Sequence, residues 1–112
     1  MAVSDVKAFF MNDLVSRLKS NPDKAKKIGG VYGFDVTGAQ AGKFLVDLNN
    51  AEVKEGTVDG ADVTISLSDE VMLQILNREL NEMQAFTQGK LRVSGNVMAA
   101  LKLKEVLDPS GW

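Results

Sequence analysis

The side chains of this chain with most potential for chemistry are its carboxylates and the lysine that follows a glycine-rich turn. The turn, Gly38-x-x-x-Gly42-Lys43, is similar to a phosphate-binding loop, but it is one residue short and is followed by Phe44 instead of Ser or Thr. Asp47-x-Asn49 begins like a calcium-binding loop, but Glu52 stands where that loop needs glycine. A hairpin connection explains the glycines more simply, so we expect neither a phosphate site nor a metal site.

Composition narrows the possible chemistry further. The 112 residues include no Cys and no His, which excludes disulfides, thiolate nucleophiles, Cys-ligated metal clusters and a Ser-His-Asp triad. The carboxylate pairs Asp69 with Glu70 and Glu79 with Glu82 have no apolar surroundings that would raise a pKa for acid–base work. We therefore predict no catalytic residue, no cofactor and no metal, and expect a binding protein instead of an enzyme.

Charge is distributed unevenly along the chain. The net charge is −2, so no overall basic field favours nucleic acid. Residues 1–30 carry six basic and three acidic side chains, whereas residues 31–89 carry three and ten. The basic end is either an ordinary solvated surface or a surface that makes transient contact with an anionic membrane. For that contact the candidates are residues 4–19 and the Lys24–Lys27 turn, which combine apolar and cationic side chains.

Helical spacing predicts an amphipathic helix over residues 4–19, with Ser4 as its N-cap. Pro22 begins a short second helix that ends at Gly29-Gly30. The pattern then alternates between apolar and polar residues in five runs, YGFDV, KFLVDLN, a more polar run around Val53, ADVTISLS and KLRVS. Such alternation is typical of a mainly antiparallel sheet with one covered face and one solvated face.

Helical patterns return after Ser68, which we predict as the N-cap of a helix over residues 69–80. A further helical turn carries Met83 and Phe86, and a last helix runs from Val97 to Leu107, before Asp108-Pro109. We therefore predict a single α+β domain over residues 1–112, in which helices cover one face of a five-stranded sheet.

Two of these helices, at residues 69–80 and 97–107, are apolar on more than one side. Covering a sheet requires only one apolar stripe, so each helix has a second apolar face to bury. The helices either pack against one another or line a cavity for an apolar ligand.

The segments GADVTISLSDEV and AFTQGKLRVSGNVMAALKL closely resemble the sterol carrier protein type 2 domain family. The ordered features are a strand, the Ser68-Asp69-Glu70 cap, the turn and strand from Ala85 to Leu91, and the Gly95-Asn96 cap. The upstream helix and the YGFDV and FLVDLN strands also fit, so the resemblance covers essentially the whole chain.

The resemblance implies a five-stranded sheet and helices that enclose an apolar tunnel. It also implies binding of sterols, fatty acids, fatty acyl-CoA or phospholipids, and transfer of these lipids between membranes or to enzymes. Gln88 is a candidate for a hydrogen bond to a lipid head group, although it serves equally well to satisfy a turn. The candidate lipid-binding residues are Phe9, Phe10, Leu14, Leu76, Leu80, Met83, Phe86, Gln88, Met98, Leu101 and Leu103.

Two other functions remain open. One is a module that presents lipid substrates to a partner enzyme, and the other is an acyl-CoA hydrolase that uses carboxylates alone. We expect a monomer with a lipid as its ligand and with no nucleic-acid partner. We also expect a soluble, cytoplasmic protein, because Ser110-Gly111-Trp112 is not a peroxisomal signal of the Ser-Lys-Leu type, although relatives act in peroxisomal lipid metabolism.

Overall fold

Five strands form one sheet in the computed structural model, which describes residues 3–96, 98 and 101–107. Their spatial order is β3-β2-β1-β4-β5, and every neighbouring pair is antiparallel except β1 and β4, which are parallel. The prediction of a five-stranded, mainly antiparallel sheet is confirmed. The strands are β1 (Val31–Thr37), β2 (Gly42–Asp47), β3 (Glu52–Glu55), β4 (Val63–Ser68) and β5 (Leu91–Gly95).

The helices differ from the prediction mainly at their ends. The helix predicted over residues 69–80 ends at Leu76, and Arg78 adopts a positive φ of 65° soon afterwards. Within the last predicted helix, Met98 is helical, Leu101 and Lys102 form a turn, and a helix begins again at Leu103. The predictions for residues 97, 99–100 and 108–112 lie outside the described residues. The helices are α1 (Val6–Ala8), a π-helical segment (Phe9–Leu14), α2 (Val15–Ser20), α3 (Pro22–Ile28), α4 (Asp69–Leu76), α5 (Glu82–Thr87) and α6 (Leu103–Leu107).

The N-terminal helix, residues 6–20, begins one residue later than predicted. Asp5, not Ser4, is the N-cap, and its carboxylate accepts a hydrogen bond of 3.0 Å from the backbone N–H of Ala8. The carbonyl of Ser4 instead accepts a hydrogen bond from the side chain of Gln40 in the β1–β2 turn. The predicted Ser68 cap of α4 is confirmed, since its hydroxyl accepts a hydrogen bond of 3.2 Å from the N–H of Val71.

An aromatic cluster forms the centre of the core between the helices and the sheet. The rings of Phe10 and Phe44 stack at 4.4 Å, and Phe34 and Phe9 lie 5.0 and 5.3 Å from Phe10. All four side chains are buried. The cluster holds the π-helical segment directly over β1 and β2.

The face of the sheet predicted to be solvated is partly covered. A Cβ atom added to Gly33 would lie 2.9 Å from the Cβ of Val58 and 3.1 Å from that of Ala61. The connection between β3 and β4, residues 56–62, therefore crosses closely over β1. Alternation placed Gly33 on this face correctly, but it gave no indication that a loop would cover this residue.

Tyr32, on β1, carries a buried hydroxyl for which no hydrogen-bond partner is found in the described part of the chain. Burial raises the pKa of Tyr32 from 10.0 to about 12, and the carboxylates of Glu105 and Asp62 act in the same direction. The neutral hydroxyl is thus strongly favoured in the folded state.

We predict that Tyr32 makes stability depend on pH in the alkaline range. The unfolded chain ionises its tyrosine at pH 10, whereas the folded chain does so only near pH 12. As the pH rises between these two values, the free energy of unfolding of the natural chain should fall by about 2–3 kcal/mol relative to that of Tyr32→Phe. Below pH 10 the free energy of unfolding of Tyr32→Phe should equal that of the natural chain or exceed it by up to about 1 kcal/mol, because the variant removes an unpaired buried hydroxyl.

Tyr32 is the only tyrosine in the sequence, so tyrosinate absorbance reports this group alone. Urea unfolding at each pH supplies the stabilities of the two proteins. A titration of the folded protein at an ordinary tyrosine pKa would contradict the buried placement of the hydroxyl.

Candidate functional site

A cavity of about 360 Å³ lies between α5, β5 and the turn that leads into α6. This volume falls within the usual range for a small-molecule site. The apolar lining consists of Met83, Phe86, Leu91, Val93, Leu101 and Leu103, and the polar lining consists of Asn81, Glu82 and Lys104. We call these three polar residues the polar rim.

One wall of the cavity is α5, which is held in place at both ends. Asn81 is its N-cap and forms a capping box with Gln84. At the other end Gly89 adopts a positive φ of 72°, and the N–H of Lys90 bonds to the carbonyl of Ala85 at 2.9 Å. The buried Ala85 faces the core, which leaves Met83 and Phe86, three positions apart, on the cavity side.

The floor of the cavity is β5, the edge strand of the sheet beside β4. Leu91 and Val93 point inward because alternate residues of a strand share one face. They pair with Leu67 and Ile65 of β4, which are buried in the core. Leu91 is buried and Val93 is half-buried.

The opposite wall is α6 with its preceding turn, and two cationic side chains tie it to the N-terminal helices. The ammonium of Lys102 donates a hydrogen bond of 3.0 Å to the carbonyl of Ile28 at the end of α3. The guanidinium of Arg17 donates one of 3.4 Å to the carbonyl of Leu107. Both carbonyls lie at helix C-termini, where the backbone has no partner within the helix. Neither contact was predicted, because the sequence offers no signal for pairs this far apart.

Several large apolar side chains around the cavity are unusually exposed. Leu101 is 60% exposed, Met83 58% and Phe86 46%. A contiguous exposed apolar surface on a protein of this size typically marks an interaction site. The cavity and its apolar edge can therefore take up an apolar molecule without first displacing core residues.

Four of the predicted lipid-binding residues line this cavity, namely Met83, Phe86, Leu101 and Leu103. The others lie elsewhere. Phe9, Phe10 and Leu14 are buried in the core under the N-terminal helix, as is Leu76 on α4, and Leu80 is half-buried against that core. Met98 is 70% exposed and is not part of the lining, and Gln88 is exposed at the C-cap of α5.

Sequence reasoning did not assign five of the lining residues to the site. Leu91 and Val93 were recognised only as the inward face of a strand. Lys104 lies in the predicted last helix and was given no role. Glu82 was considered only as a carboxylate paired with Glu79, and Asn81 was given no role.

The described residues include no group of three or more acidic side chains placed to hold a metal ion. Within the same ranges, every helix is too short or too polar to cross a membrane.

Comparison with known proteins agrees with this architecture. The model of the SCP-2 sterol transfer family matches residues 11–108. Sterol carrier protein 2 of Gallus gallus is 37% identical over 86 residues, which make up 72% of this chain and 16% of that protein. Peroxisomal multifunctional enzyme type 2 of Mus musculus is 35% identical over 106 residues, or 89% of this chain and 14% of that enzyme. The chain thus spans only a small part of these curated relatives.

Solved structures show the same fold. The crystal structure of sterol carrier protein 2 like 2 from Aedes aegypti has a TM-score of 0.75 and 29% identity, and the match covers 89% of this chain and 94% of that one. The solution structure of sterol carrier protein 2 from Aedes aegypti in complex with palmitate has a TM-score of 0.73 and 25% identity, with coverage of 95% and 97%. The resemblance seen in the sequence is confirmed: this chain belongs to the SCP-2 sterol transfer family.

Proposed function

We propose that the protein is a non-enzymatic lipid carrier that holds one lipid in the cavity beside β5 and transfers it between membranes. The observation that carries this proposal is the open apolar cavity of about 360 Å³, with Met83, Phe86 and Leu101 exposed around it. Fatty acids, sterols, fatty acyl-CoA and phospholipids are the candidate ligands. The palmitate bound to the similar sterol carrier protein 2 supports a fatty acid for this chain as well.

Apolar transfer supplies the binding energy. Each buried CH₂ group contributes about 0.8 kcal/mol, so a sixteen-carbon chain supplies about 12 kcal/mol before costs. Ordering of the flexible chain and loss of its free motion offset much of this gain. An apolar lining discriminates weakly between lipids that differ by a methylene group, so affinity should be moderate and specificity for chain length broad.

Loading and release require contact with a membrane. The apolar face of the N-terminal helix is committed to the core through Phe9, Phe10 and Leu14, so this helix has little apolar surface left to insert. The exposed edge of the cavity, with Met83, Phe86 and Leu101, supplies apolar surface at the place where the lipid would enter. We therefore assign transient membrane contact to this edge, with exposed lysines of α3 as an electrostatic contribution.

We predict that the purified protein transfers a fluorescent fatty acid from donor to acceptor vesicles without any enzyme. The transfer rate should rise with protein concentration, because the protein itself moves the lipid. A heat-unfolded sample is the control.

Similarity to a multifunctional enzyme favours a second function, in which the domain presents lipid to an enzyme. Binding without transfer would support that presenting function and contradict the carrier.

A second prediction tests the cavity by filling it. Leu101→Trp and Met83→Trp each add volume to the lining from an exposed position, so the fold should stay intact and fatty-acid affinity should fall about tenfold or more. Met98→Trp is the matched control, because Met98 is also exposed but lies outside the lining.

Affinity is measured by titration calorimetry with palmitate, and folding by circular dichroism. If the two lining variants bind palmitate as the natural chain does, the ligand lies elsewhere. Equal losses in all three variants would show that the effect is not specific to the lining.

A further inference from the structure

The polar rim of the cavity carries one side chain of each charge. Lys104 lies on α6 and Glu82 on α5, so they belong to opposite walls. Within the described residues neither forms an ion pair within 4.0 Å. The two charged groups are therefore not used to hold the walls together.

Lys104 differs in this respect from Lys102, its neighbour on the same segment. The ammonium of Lys102 donates to the carbonyl of Ile28 at 3.0 Å and so serves the fold. Lys104 is exposed and lines the cavity, with three N–H donors and no acceptor. Of these two lysines, Lys104 is the one placed to meet a ligand.

Asn81 contributes mainly hydrogen-bond donors to the polar rim. Its side-chain oxygen accepts a hydrogen bond of 2.7 Å from the backbone N–H of Gln84, as the N-cap of α5. The group that remains for a ligand is the side-chain NH₂, which only donates. Lys104 and Asn81 together complement a head group that is rich in acceptors, whereas Glu82 opposes a negative charge.

We propose that the polar rim selects lipids by head-group charge: Lys104, aided by Asn81, favours a single acidic head group such as a carboxylate, and Glu82 limits the strength of that preference. The inference rests on the proposed lipid-binding function and adds the class of head group to it. The apolar lining supplies affinity for the chain, and the rim supplies discrimination between lipids with the same chain.

The preference should be modest and sensitive to salt. An exposed pair of charges typically changes affinity less than tenfold, so we expect a factor of about three to ten between acidic and uncharged head groups. Exposed charges are screened by salt, so the factor should shrink as ionic strength rises from about 0.01 M to 1 M. An apolar contribution would not weaken in this way.

The experiment compares three ligands that share a twelve-carbon alkyl chain, namely tridecanoate, uncharged dodecyl maltoside and dodecyltrimethylammonium, each below its micelle-forming concentration. Affinities for the natural chain are measured by titration calorimetry at low and high salt. We expect tridecanoate to bind most tightly and the cation least tightly. Lys104→Gln should remove most of the preference for tridecanoate, and Glu82→Gln should increase it about twofold to fivefold.

The matched control is Lys43→Gln, which removes the same charge from an exposed position on β2, away from the β5 edge. It should leave all three affinities unchanged. Equal binding of the three ligands, or equal effects of Lys104→Gln and Lys43→Gln, would overturn the head-group inference while leaving the carrier proposal standing. Failure of every ligand to bind would contradict both.

Discussion

The stacking of Phe10 on Phe44 determines which half of the sheet the N-terminal helix covers. At 4.4 Å this pair is in close contact, and Phe34 lies 5.0 Å from Phe10 on the same side. Aromatic pairs contribute about 0.5–1.5 kcal/mol each beyond the area that they bury. The cluster therefore commits the longest helical segment of the described chain, residues 6–20, to β1 and β2. The β5 edge has to be covered by other elements.

The helical element beside β5 whose full length is described is α5. It has six residues and rises about 9 Å, so it covers only part of the five-residue strand β5, which extends about 16 Å. The cavity lies between α5, β5 and the turn that leads into α6. The sheet is thus closed over β1 by the N-terminal helix and borders an open site at β5.

The strands were predictable because alternation is a local property. Val63, Ile65 and Leu67 are buried at every second position, as expected from the sequence alone. The parallel pairing of β1 with β4 was not predictable in this way, since alternation identifies the buried face of a strand but not its neighbour. For the same reason the loop over Gly33 was missed.

The predicted lipid-binding residues separate into two groups in the structure. Met83, Phe86 and Leu101 line the cavity, and their assignment as ligand contacts stays a prediction. Phe9 and Phe10 are buried in the core instead, where Phe10 contacts Phe34 and Phe44, two partners distant in sequence. Residue type alone cannot separate an apolar side chain that fills a core from one that lines a cavity.

The cavity walls are held from the side that a ligand does not occupy. On α6, Val106 and Leu107 are buried in the core, and Lys102 and Arg17 bond to carbonyls at helix ends. None of these contacts lies within the lining. A lipid can therefore add apolar contacts to Leu101 and Met83 without breaking any that stabilise the folded chain. A ligand that binds only the folded state raises the free energy of unfolding by RT ln(1 + L/Kd), where L is the free ligand concentration. Lipid uptake and stability of the domain are then linked through the same exposed side chains.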